Sequence, residues 1–170
     1  MENIMPKRDG MLFVDQENLR NGANNYNSDY EYDFVNLRGE LMEGLYTVRS
    51  YWFASWHPEY GRPNNFYTAL DREGYRVVDS PRVERGNTYI EKGVDITLAT
   101  EMLAHAFQDS YDTAVLVSGD SDYQRVVEQV QDRGKRVIVA GWDDSTSPKM
   151  KSQADRFVEL NQIADAIKKE

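Results

Sequence analysis

The sequence predicts a three-layer, doubly wound α/β domain built on a mainly parallel sheet of five or six strands. Three observations carry that expectation. Short unbroken apolar runs, Met11 to Val14, Ala114 to Val117 and Val137 to Ala140, read as strands covered on both faces. Helix-period stretches lie between the strand candidates, as right-handed crossovers require. The length, 170 residues, suits one domain with a core over about 11–160 behind a tail at 1–10.

Taken in order, Met11 to Val14 is the first strand, and residues 21–33, with four Asn and three Tyr, read as a polar loop after it. Phe34, Leu37, Leu41 and Leu45 recur at helical spacing. Thr47 to Ala54 and Tyr75 to Val78, aromatic and β-branched and bounded by Gly44 and Gly74, are strands two and three, with a helix at Phe66 to Arg72 between them. Residues 79–93, containing Pro81, Gly86 and Gly93, read as an extended loop or hairpin. A helix through Leu98, Ala99, Met102, Leu103 and Ala106 leads to strand four at Ala114. Another through Val126, Val127 and Val130 leads to strand five at Val137. Arg156 to Leu160 offers a sixth strand and Ile163 to Lys169 a short final helix.

Composition excludes several function classes. Twenty Lys and Arg against 29 Asp and Glu leave a net charge of −9, so coating of nucleic acid or anionic membrane through bulk positive charge is disfavoured. The absence of cysteine removes disulfides, thiolate zinc sites, iron–sulfur clusters and cysteine nucleophiles. His57 and His105 are the only histidines, too few for a histidine-rich metal site. No apolar segment follows a basic start, and no apolar run approaches the roughly 20 residues that cross a bilayer. These features point to a cytoplasmic protein without membrane partners. The nucleotide motifs G-x-x-x-x-G-K-[ST] and G-x-G-x-x-G are missing.

Carboxylates are the plentiful chemistry. Ligands of open α/β sheets sit beyond the carboxyl ends of the strands, where strand order reverses. In the order 3-2-1-4-5 the first and fourth strands are neighbours there, which brings Asp15 beside Asp120 and Asp122 of Ser118-Gly119-Asp120-Ser121-Asp122. Asp95 precedes Leu98, Ala99 and Met102 at helical spacing, and Asp122 precedes Val126 and Val130, so both fall on the sheet-facing stripes of their helices. Capping of a helix start explains any one of these acids. Four acids at one crevice are better explained jointly by a shared hard cation, Mg²⁺ or Mn²⁺.

Phe13-Val14-Asp15-Gln16-Glu17-Asn18-Leu19, Lys92-Gly93-Val94-Asp95, Leu116-Val117-Ser118-Gly119-Asp120-Ser121-Asp122-Tyr123 and Ala154-Asp155-Arg156-Phe157 resemble the NYN domain, in its LabA-like branch of the PIN-like nuclease superfamily. The resemblance runs from about Met11 to Leu160. It implies a metal-dependent ribonuclease, with Asp15, Asp95, Asp120 and Asp122 as catalytic, metal-holding acids and RNA as substrate. Hydrolysis would proceed by in-line attack of activated water on the phosphodiester. Asp15 and Asp120 are then the direct ligands, with Asn18 and Ser118 orienting them.

Phosphate contacts need positive charge near the acids. Arg82, Arg85 and Lys92 precede Asp95, and Arg125 follows Asp122; Lys92 is part of the family motif, and the arginines otherwise read as solvated surface. Trp56, His57 and Tyr60 follow strand two and offer either base stacking or packing in the core or at a homodimer interface. His105, between apolar neighbours, reads as structural, and Asp143 and Asp144 as a loop. Two other functions fit the same residues: a regulatory protein that binds RNA or a protein partner without cleaving, and another Mg²⁺-dependent phosphoryl-transfer enzyme. The latter usually places paired acids after the first strand, a pattern that Asp15 and Glu17 meet loosely.

Overall fold

The computed structural model describes residues 7–170, and its backbone follows the predicted alternation of strand and helix. The strands are β1 (Arg8–Asp15), β2 (Leu45–Trp56), β3 (Tyr75–Pro81), β4 (Val83–Arg85), β5 (Thr88–Ile90), β6 (Thr113–Val117), β7 (Arg136–Gly141) and β8 (Arg156–Glu159). The helices are α1 (Gln16–Tyr26), α2 (Phe34–Leu41), α3 (Asn64–Arg72), α4 (Val94–Phe107), α5 (Gln124–Asp132), α6 (Pro148–Gln153) and α7 (Ala164–Ile167). Six strands form one parallel sheet in the order β3-β2-β1-β6-β7-β8, and β4 and β5 form a separate antiparallel hairpin. The first and fourth strands of the main sheet are therefore adjacent, with Val14 opposite Val117.

Strand periodicity divides the core into two layers. Leu12 and Val14 of β1 and Val115 and Val117 of β6 face one layer with Leu19, Leu37 and Leu41 of α1 and α2. Met11 and Phe13, with Ala114 and Leu116, face the other, filled by Leu98 and Met102 of α4 and Val127 and Val130 of α5. A strand with no polar face cannot lie at a surface, which is why the unbroken runs occupy the sheet centre.

The structure departs from the sequence reading in four places. The first half of the polar loop after β1 is helix: α1 starts directly at Gln16 and runs to Tyr26, and Leu19, Gly22 and Ala23 form a narrow buried stripe. Leu45 is not the last residue of a helix, because Gly44, with φ of +81°, ends that turn and Leu45 opens β2 opposite Arg8. The strand-two candidate is longer than expected, so Trp56 belongs to β2. The tail is shorter too, since Arg8 to Gly10 already pair with β2; residues 1–6 lie outside the described region. Among the described residues no helix is long and apolar enough to cross a membrane.

Candidate functional site

β1 and β6 leave the sheet side by side, and the segments beyond their carboxyl ends are hydrogen-bonded to each other. Asp15 is the N-cap of α1: its Oδ1 accepts the Asn18 N–H at 3.4 Å. Its Oδ2 accepts the Ser118 hydroxyl at 3.1 Å and the Tyr123 hydroxyl at 3.3 Å. Asn18 Oδ1 in turn accepts the Gly119 N–H at 2.9 Å, and Ser118 Oγ accepts the Asp120 N–H at 3.3 Å. The loop after Gly119 is held from behind by Ser147 N–H, which donates to the Gly119 carbonyl at 3.0 Å. A Cβ at Gly119 would fall 2.5 Å from Thr146 Cα, so this close approach of two backbones needs glycine.

In front of this lattice opens a crevice of about 290 Å³ lined by Asp15, Glu17, Asn18, Asn21, Glu91, Gly93, Asp95, Asp120 and Tyr123. Five of these nine are carboxylates, and no Lys, Arg or His lines it. Burial, and after it the crowding of acids, shows in the proton affinities. Burial, with Asp15 only 6% exposed, and the nearby Glu17 push the Asp15 carboxyl up to about 6, against the lowering by its three hydrogen bonds. Glu91 rises to about 7 through burial and the neighbouring Glu17 and Asp15, although it accepts the Ser55 hydroxyl at 2.5 Å. Burial and the surrounding acids also push the Tyr123 phenol far up, so it stays a proton donor to Asp15.

Such a donor set is hard oxygen throughout, and it lacks positive charge; both features fit a divalent cation. The acids line the crevice separately: among the described residues no three Asp, Glu or His groups are already gathered around one ion position.

A family model described as the NYN domain matches residues 10–161. The chain belongs to the NYN domain family. That family is part of the PIN-like nuclease superfamily, which associates this NYN domain with nuclease or RNA-related roles. Its relatives include the Low amplitude and bright protein LabA of Synechococcus elongatus, 28% identical over 128 residues that cover 72% of this chain and 67% of LabA. The uncharacterized protein MJ0482 of Methanocaldococcus jannaschii is 22% identical over 151 residues, 89% of this chain and 55% of that protein's length. A crystal structure of a protein of unknown function, VPA0982 of Vibrio parahaemolyticus, superposes with a TM-score of 0.78 over 99% of this chain and all of that one, at 24% identity; this likeness concerns the fold.

The NYN fold brings Asp15, Asp95 and Asp120 to one crevice but not in the manner expected. Asp95 is exposed, because the buried stripe of α4 is Val94, Leu98, Met102 and Ala106, and one residue past Val94 lies about 100° round the helix. Asp122 is exposed and does not line the crevice. It belongs to a 3₁₀ turn, Ser121–Tyr123, whose tighter winding places Tyr123 inward instead, while its N–H donates to Asp120 Oδ1 at 2.9 Å. Asp120 is thus a cap as well as a crevice acid.

The expected phosphate contacts stand further out. Lys92, Arg85 and Arg125 are exposed and none lines the crevice; Arg125 pairs with Glu128 at 2.7 Å. Arg82 reaches the site indirectly, donating to Ser55 Oγ at 3.2 Å. Trp56 donates to Asp79 at 3.0 Å, and His57 packs between Tyr60 and Tyr89 with ring centroids 4.9 and 4.4 Å away. His105 is structural as expected, bonded to Tyr51 and Ser110, and Asp143 pairs with Lys151 in a short loop turn.

Four crevice residues escape the sequence reading, among them Asn21 in the segment read as a loop. Glu91 follows the hairpin one residue before the Lys-Gly-Val-Asp motif, Glu17 is weighed there only as half of an acid pair, and Tyr123 closes the Ser-Gly-Asp-Ser-Asp motif without a role.

Proposed function

We propose that this NYN domain is a divalent-metal-dependent ribonuclease that hydrolyses phosphodiester bonds at the crevice between β1 and β6. One observation carries the reading: five carboxylates share a crevice with no cation lining it, at the reversal of strand order where α/β folds bind ligands. Asp15 and Asp120 are the nearest candidates to hold Mg²⁺ or Mn²⁺, with Glu17, Glu91 and Asp95 completing the acidic wall, while Asp122 acts through its backbone bond to Asp120. A cation bound there supplies neutralisation of the scissile phosphate and acidification of the attacking water. Ser118 and Tyr123 fix the Asp15 carboxylate, and Asn18 fixes the turn that carries Asp120. Lys92 and Arg85 meet the phosphate backbone of RNA outside the crevice.

The test is incubation of the purified chain with single-stranded and structured RNA and DNA, each with Mn²⁺, Mg²⁺ or chelator. RNA cleavage that needs the ion and vanishes in Asp120→Asn supports the reading. Ion-independent RNA binding without cleavage would move the domain to the regulatory class.

A further inference from the structure

The far end of the sheet holds a second cavity, about 410 Å³, where the strands begin rather than end. Arg8, Arg136 and Arg156, the first residues of β1, β7 and β8, all face it. Among the described residues none of the three makes an ion pair. Three guanidiniums in one concavity repel each other in a chain of net charge −9 that has acids to spare. Planar guanidinium forks suit the oxygens of a phosphate, which two or three of them can grip at once.

The remaining walls say more about the ligand. Leu45, Ile138 and Val158 pack against a core layer yet stay half-buried, because the cavity opens over them. The strand pairings put Leu45 beside Arg8 and Ile138 beside Arg156, so apolar side chains flank the arginines along the cavity. Glu40 and Glu43 stand at the α2 side and pair with no cation among the described residues. A bare inorganic anion would use the arginines and be repelled by these acids. A ligand with a phosphate at one end, a ring in the middle and hydroxyl or amino donors at the other satisfies all three walls, and the volume is within the range of small-molecule sites.

We propose that this cavity binds a nucleoside monophosphate, with its phosphate on Arg136 and Arg156 of adjacent strands, its base against Leu45, and its donors toward Glu40 and Glu43. Arg8 stands at the opposite end of β1 from Asp15, roughly 23 Å away, and the cavity shares no lining residue with the acidic crevice, so it is a distinct site.

The experiment is calorimetric titration of the full 170-residue chain, Met1 to Pro6 included, in EDTA with adenosine or uridine monophosphate, the matching nucleosides, or inorganic phosphate. Saturable 1:1 binding of a monophosphate, at about 1 mM or tighter and about 10-fold tighter than nucleoside or phosphate alone, is expected. Arg136→Gln with Arg156→Gln should weaken it by about 10-fold or more with an unchanged circular-dichroism spectrum, and Asp120→Asn should leave it unaltered. Should the double variant fail to fold, Arg136→Lys keeps the charge, removes the fork and should still weaken binding. Absence of monophosphate binding, equal affinity for inorganic phosphate, or loss in Asp120→Asn but not in the arginine variants would overturn the proposal. Because divalent ions are excluded, the result stands apart from whether the crevice cleaves RNA.

Discussion

Asp15 accepts a hydrogen bond at each of its carboxylate oxygens, yet its carboxyl is pushed up to about 6 because burial outweighs those bonds. A carboxyl raised in the folded state contributes stability that is present below its unfolded pKa near 4 and is lost as pH rises through about 6. Glu91, raised to about 7, acts in the same direction. The chain in chelator should therefore melt at a lower temperature at pH 8 than at pH 5, with an Asp15 contribution of roughly 1.4 kcal/mol between those two pH values. Asp15→Asn should remove part of that difference, and thermal melts of both proteins across pH 4 to 8 check it. A wild-type melting temperature that rises steadily from pH 5 to pH 8 would mean the crevice acids are not under strain. At this scale the legible part of the site is the set of acids at strand ends. Glu91 is not legible because it lies in the irregular link between β5 and α4, where neither strand nor helix period assigns it a direction, and Asp122 departs from expectation because a 3₁₀ turn breaks the helical period.

Helix α1 and the turn after β6 behave as one unit, joined by the Asn18 side chain to Gly119 and by close packing of Gly22 against Trp142. Asn18→Ala leaves the Gly119 N–H without its partner, which should cost about 1–3 kcal/mol and lower cleavage by about 10–100-fold, measured by melting and by RNA turnover. Gly119→Ala forces Ser145 and Thr146 away and should be destabilising by about 1–3 kcal/mol or more, with loss of activity even at temperatures where the protein is folded. An active, fully stable Gly119→Ala would show that the turn tolerates displacement. Elements whose sequence has a strong period are readable: the apolar runs of β1, β6 and β7 have only one place in a sheet. Helix α1 is not, because its buried stripe is Leu19, Gly22 and Ala23, where the two small residues, Gly22 lying against Trp142, carry little apolar signal, and the asparagines around them favour loops.

For the whole molecule acting as the proposed ribonuclease, net charge decides when RNA can approach. A chain of charge −9 with five acids in one crevice repels phosphate until cations neutralise it, after which outlying Lys92 and Arg85 can engage the backbone. RNA binding by wild type should be measurably tighter in Ca²⁺, a cation that suits oxygen ligands, than in chelator. Lys92→Ala should weaken it uniformly across sequences and reduce the salt slope by about 1. Affinity that depends on base sequence at that position would point to a different contact. All of this rests on the crevice acids holding a divalent ion, and titration of Mn²⁺ into the metal-free protein, read by the electron paramagnetic resonance of the free ion, measures that directly. Wild type should remove Mn²⁺ from solution at a saturable site, more strongly at pH 8 than at pH 5 because Asp15 and Glu91 must lose protons, and Asp15→Asn and Asp120→Asn should each abolish that uptake while remaining folded. Equal Mn²⁺ uptake by wild type and both variants, or none by wild type at pH 8, would contradict a metal-holding crevice.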